Sequence, residues 1–113
     1  MRFHSLKKEE KVLKDKEFKI IIKNGKRFQT KSFVVIIHPN NKGIRRLGVV
    51  ASKKVGNAPE RNRIKRLLRE FFRINKEILE KERDFVIIVK KGLQNPDLLS
   101  VYEELIGLFK KGV

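Results

Sequence analysis

The period of the apolar residues changes along the chain, and each change predicts an element. Phe18, Ile21 and Ile22 recur at helical spacing behind Asp15, which stands where an N-cap would, and Asn24-Gly25 supplies a stop. A short helix is expected over about 16–24. Arg27-Phe28-Gln29-Thr30 and the β-branched run Ser32 to His38 are too short for buried helices and read as two strands. Pro39-Asn40-Asn41-Lys42-Gly43 is a turn cluster. Leu47 to Ser52 is a third strand, expected to pair with the second as a hairpin, and Asp84 to Lys90 is a fourth. Asn95-Pro96-Asp97 opens a last helix that places Val101, Tyr102, Leu105, Leu108 and Phe109 on one face.

A longer helix fills the gap between the third and fourth strands. Asn57, followed three residues later by Glu60, has the form of a capping box, and Pro59 falls in the first turn, where its missing N–H matters little. The helix is expected to reach about Leu79. The order α-β-β-β-α-β-α then describes an α+β sandwich, helices on a small sheet, in a single domain over 1–113. Residues 1–14 are mostly polar and charged and are expected to be ill-ordered or loosely docked.

Wound at about 100° per residue, the long helix separates into two faces. Arg61, Asn62, Lys65, Arg66, Arg69 and Arg73 share one arc, joined by Lys76. Ile64, Leu67, Leu68, Phe71, Ile74 and Ile78 occupy the other. Exposed helix faces ordinarily mix both signs of charge. Here only Glu70 and Glu77 lie near the edge of the basic arc, so little internal salt-bridging is expected to neutralise it.

Net charge sharpens that reading. The chain carries 29 Lys+Arg against 13 Asp+Glu, a formal +16, well beyond what solubility requires. A compact body so charged repels itself unless it meets a polyanion, and nucleic acid fits better than an anionic membrane. Each guanidinium can fork onto phosphate or a base edge. The chain has no cysteine, which removes disulfides, thiolate metal sites and thiol nucleophiles together and suits a cytoplasmic location. No apolar run is long enough to span a bilayer, and the N-terminus lacks the apolar core of a secretory signal, so no membrane partner is expected. Abundant Lys, Arg and Glu with a single Met fits a heat-adapted source.

From Ser52 to Glu70 the chain resembles the signature of bacterial ribonuclease P protein components. Gly56-Asn57-Ala58, Arg61-Asn62-Arg63, Lys65-Arg66 and Arg69-Glu70 all stand at that family's spacing. The likeness extends to Phe18, to Lys23-Asn24-Gly25, to the Leu47-Gly48 strand and to the strand that begins at Asp84. It implies an accessory subunit of an endoribonuclease whose large RNA performs the magnesium-dependent hydrolysis that removes the 5′ leader of precursor tRNA. The expected partners are that RNA and precursor tRNA, with no obligatory protein partner. By this likeness Arg61, Asn62, Arg63, Lys65, Arg66 and Arg69 face RNA, flanked by Lys53, Lys54 and Asn57, and Arg73 continues the basic arc. The leader cleft would take in Phe18, Ile22, Ile36 and Ser52. The family's aromatics are replaced by aliphatic residues at Ile22 and Ile36, which cannot stack on a base as a ring does. The implied fold is the ribosomal protein S5 domain 2-like sandwich, with a left-handed βαβ crossover against the usual right-handed default.

Protein-borne catalysis has few candidates. His4 and His38 are the only histidines, one near a terminus and one beside Pro39, and an acid–base pair needs both within reach of one phosphate. Asp15, Asp84 and Asp97 all stand at element starts and read as caps. No close carboxylate pair marks a two-metal site, and Gly48 and Gly56 read as strand and turn glycines rather than a phosphate loop. No catalytic residue is expected in the chain. A structural ribosomal protein and a non-specific DNA-compacting protein are the competing readings of the same charge.

Overall fold

The sheet is organised around its two most apolar strands. In the computed structural model, which describes residues 6–91 and 96–110, the elements are α1 (Asp15–Asn24), β1 (Lys26–Gln29), β2 (Phe33–Pro39), β3 (Arg46–Val50), α2 (Ala58–Ile74), β4 (Arg83–Val89) and α3 (Leu98–Lys110). Short 3-10 turns lie at Lys8–Glu10 and Lys76–Ile78. The element order is the one expected, an α+β arrangement with a four-stranded mixed sheet.

The hairpin expected between the second and third strands does not form. The strand order is β1-β2-β4-β3: β2 pairs antiparallel with both β1 and β4, and β3 pairs parallel with β4. Phe85, Val86, Ile87 and Val89 of β4 are all buried, so this strand needs cover on both faces and takes an interior place. β3 is left at the edge, and α2 carries the chain from β3 back to β4.

Alternation along the strands divides the apolar side chains between two layers. Phe33, Val35, Ile37, Leu47, Phe85, Ile87 and Val89 face α2 and α3. There Phe71, Phe72, Phe85 and Phe109 form a connected set of ring contacts, with centroids 5.8 Å apart for Phe71–Phe109, Phe72–Phe85 and Phe85–Phe109. Burying each ring is worth roughly 1.5–3 kcal/mol, so this layer holds most of the stability. Ile36 and Val86 point to the other face and are covered by Ile21 of α1 and by Val12.

The buried stripe of α2 is turned relative to the sequence reading. Phe72 is buried beside Ile64, Leu68 and Phe71, whereas Ile74 is 52% exposed and Ile78 38% exposed. The helix packs against both the sheet and α3, and Phe72 reaches Phe85. The rotation brings Arg61 and Lys65 to half-buried positions. α2 also ends earlier than Leu79: it stops at Ile74, and the Asn75 N–H closes it on the Phe71 carbonyl.

Among the described residues, the segment before α1 packs against the body of the fold. Leu6 enters the larger core and Val12 the smaller one, so the strap ties both layers together. Lys11 bridges to Leu47, and the Val12 N–H donates to the Leu47 carbonyl at 2.9 Å. The strap thereby covers the free edge of β3, which would otherwise invite pairing with another chain. Residues 1–5, including His4, lie outside the described residues, as does Asn95.

Three expected end signals work differently. Asp15 is the first residue of α1 rather than its cap; Lys14 holds the cap position without a side-chain bond. Gly25 ends the helix at an ordinary φ of −75°. It is glycine because a β-carbon there would lie 2.5 Å from Ile36 Cγ2 and 2.7 Å from the Ile21 carbonyl oxygen. Asp84 is not a cap either. It receives a two-pronged bond from Arg46, Nε to Oδ1 and Nη2 to Oδ2 at 2.8 Å each, and Asn40 donates to Oδ1 at 2.7 Å. Arg46 Nη1 reaches Glu17 on α1 at 3.0 Å, which pins that helix to the sheet. Hydrogen bonding to Asp84 raises the Arg46 pKa despite the cost of burial, so the guanidinium stays charged.

Candidate nucleic-acid interface

The basic face begins at a well-made helix start. Asn57 accepts from the Glu60 N–H at 3.0 Å, and the Glu60 carboxylate accepts from the Asn57 N–H at 2.8 Å, the reciprocal pair the sequence predicts. A β-carbon on Gly56 would lie 2.7 Å from Glu60 Oε1, so the turn before the helix needs glycine to let the box close. The Asn57 side-chain oxygen is therefore engaged by the helix, and its amide NH2 is the group left to donate to a ligand. Ser52, Lys53 and Lys54 are exposed in the turn from β3 into this positive helix end.

Along α2, Asn62, Arg63, Arg66 and Arg69 are exposed, with Arg61 and Lys65 half-buried at the edge nearest the sheet. The face is less pure at its far end than its sequence suggests. Arg73 pairs with Glu70, and Lys76 with Glu10 of the strap. Arg63 turns toward α3, where its charge helps to hold Asp97 below the usual carboxylate range; the larger cause is the Ser100 N–H that caps α3 on Asp97 at 2.8 Å. Asp97 is thus the one aspartate that does cap its element. On this face the charge without an ion pair among the described residues is concentrated in the first three turns of α2 and the turn before it.

The expected cleft adjoins this face. Phe18, Ile22, Val34, Val50 and Ile88 are half-buried around the smaller core, and together they form the uncovered part of the sheet's second face. Phe18, Lys19, Val50, Ala51 and Lys65, with Asp15, line a cavity of about 370 Å³. Lys65 thus belongs to the helix face and to the cleft at once, and the two surfaces are continuous. Ile36 has no place in the lining. It is fully buried beneath α1, so no ligand can reach it, and Val34, two residues earlier on the same face, is the accessible strand position. Sequence reasoning missed Val34, Val50 and Ile88 because which residues of a strand share a face with α1 depends on register.

A family model described as Ribonuclease P matches residues 6–112. The chain belongs to the ribonuclease P protein family. It is 41% identical to the ribonuclease P protein component of Syntrophus aciditrophicus over 111 residues, 98% of this chain and 93% of that one. Its fold superposes on the RNase P protein of Thermotoga maritima with a TM-score of 0.81 at 38% identity, covering 90% of this chain and 96% of that one. The RNase P protein of Staphylococcus aureus gives a TM-score of 0.79 at 33% identity, covering 90% and 94%.

Two of the acidic side chains of this ribonuclease P protein are taken up by its fold. Among the described residues no group of three or more His, Cys, Asp or Glu could hold a metal ion, and Glu17 and Asp84 are both bound to Arg46. His38 lines a separate cavity of about 280 Å³ beside Arg46 and Asp84.

Proposed function

We propose that α2 docks on the catalytic RNA of ribonuclease P and that the adjoining cleft holds the 5′ leader of precursor tRNA. Family membership gives the coarser role, the protein component of a tRNA-processing ribonucleoprotein. The observation that carries the finer one is the continuity at Lys65. A face of exposed arginines runs directly into a half-apolar cleft that presents Phe18. Guanidinium groups suit a phosphate backbone, and a ring beside an ammonium group suits a single strand, whose bases can stack while its phosphates are neutralised.

In this reading the protein supplies binding and orientation. Phosphodiester hydrolysis, with its magnesium ions, takes place in the RNA, and the particle works in the cytoplasm. The test is recovery of the protein from its native lysate at moderate salt, followed by sequencing of the bound RNA. One long structured RNA together with precursor tRNA supports the proposal; ribosomal RNA would assign the fold to the ribosome instead, and indifferent capture of duplex DNA would make the charge non-specific.

A further inference from the structure

α1 has a second groove on its other flank. Phe18 lines the first cleft together with Val50, whereas Glu17 and Ile20 border the turn after β2. Beyond them Lys8, Lys11, Lys14 and Lys42 surround a cavity of about 490 Å³, with Leu13 and Ile44 in its wall. Arg46 and Glu17 also line it, but they are paired with each other, which leaves Glu9 as the one other acid. Among the described residues none of the four lysine ammonium groups has a carboxylate at ion-pair distance. Four like charges around one cavity repel one another, and screening over a Debye length of about 8 Å removes that repulsion only in part. A row of phosphates removes it fully and releases counterions as it binds. Leu13, 56% exposed among the lysines, offers an apolar surface on which a ribose can rest.

We propose that this groove is a second phosphate-binding surface, which takes a stretch of the catalytic RNA's backbone while α2 takes another. The inference rests on the reading of α2 as the RNA-docking helix. Two observations favour the catalytic RNA over the leader. α1 stands between the groove and the Phe18 cleft, so a strand in the cleft would have to cross the helix to enter the groove. The strap that carries Lys8 and Lys11 is joined to the end of the α2 face by the Glu10–Lys76 pair, so a large folded RNA lying on α2 meets the strap next.

The test is a variant with Lys11→Gln, Lys14→Gln and Lys42→Gln, none of them a core residue. A control carries Lys26→Gln, Lys31→Gln and Lys91→Gln, which removes the same charge from exposed positions outside both surfaces. Binding of the catalytic RNA is measured across salt concentrations, with a melting curve for each protein. The groove variant is expected to flatten the log–log salt slope by about 2–3 and to weaken binding roughly tenfold or more, while the control changes the slope by less than about 1. Preference of the holoenzyme for precursor over mature tRNA should be unchanged. An unaltered slope, an equal change in the control, or a selective loss of precursor binding each overturns the proposal. Arg66→Glu with Arg69→Glu, measured in parallel, reads α2 independently: normal binding by that variant would remove the α2 reading, whatever the groove variant does.

Discussion

Phe18 of α1 lies where a side chain on residue 48 would be. A β-carbon at Gly48 would come 2.5 Å from Phe18 Cε1, 2.7 Å from Cζ and 3.1 Å from Val12 Cβ. The ring thus rests directly on the β3 backbone, and its position in the cleft depends on a missing side chain one layer below. Gly48→Ala is expected to displace the ring and to cost about 1–3 kcal/mol through overpacking. A lowered melting temperature together with weaker precursor tRNA binding would bear this out. An unchanged melting curve would show that the ring moves freely.

Phe18→Ala should weaken binding of precursor but not of mature tRNA to the reconstituted holoenzyme, by roughly 1–3 kcal/mol if the ring stacks on a leader base. Lys65 shares its cavity. Lys65→Ala is therefore expected to weaken both assembly and leader binding, and the double variant should depart from additivity by more than about 0.5 kcal/mol. Equal weakening of both tRNAs by Phe18→Ala would remove the leader from this cleft. Ile36→Tyr is expected only to destabilise, since Ile36 is fully enclosed; an added ring belongs at Val34.

Charge reversal at Arg66 and Arg69 should abolish assembly with the catalytic RNA and leave the fold intact. Both side chains are exposed on the free part of the α2 face. Circular dichroism and gel-shift binding distinguish the outcomes, and native affinity in the folded double variant would contradict the docking role.

Asp84→Asn removes the principal counter-charge of Arg46 within the fold. The Arg46 side chain is 10% exposed and, among the described residues, keeps Glu17 as its remaining anionic partner, itself 30% exposed. Loss of one partner from a buried pair typically costs about 3–5 kcal/mol, and Glu17 should hold the loss near about 3. Chemical denaturation measures it. Because the same network anchors α1, precursor binding should fall as well.

The strap should contribute a pH-dependent part of the stability. Burial pushes the Glu10 carboxyl upward, but the Lys76 ammonium and the Lys7 N–H outweigh it and hold the group below its ordinary value of 4.5. A depressed acid stabilises the fold above the unfolded value and loses that contribution as pH falls through the folded one. Glu10→Gln should therefore narrow the difference in stability between neutral pH and about pH 4. An identical acid limb in variant and parent would show that the pair adds nothing.

The sequence by itself determined what depends on near neighbours. Helical and strand periods, the Asn57–Glu60 box and the order of elements are set within a few residues, and all appear in the structure. The basic arc of α2 was legible for the same reason, since any helix winds Arg66 and Arg69 to one side. Only the tertiary structure decided which strand pairs with which, because a run such as Phe85 to Val89 states that it must be covered without naming its neighbours. That choice placed Ile36 beneath α1 and left Val34 open. Packing against the sheet and α3 turned α2 so that Lys65 joined the cleft. Arg46 and Asp84 are 38 residues apart, and the strap's Glu10 and Lys76 are 66 apart. No local pattern marks such pairs, since their charges are matched by folding alone.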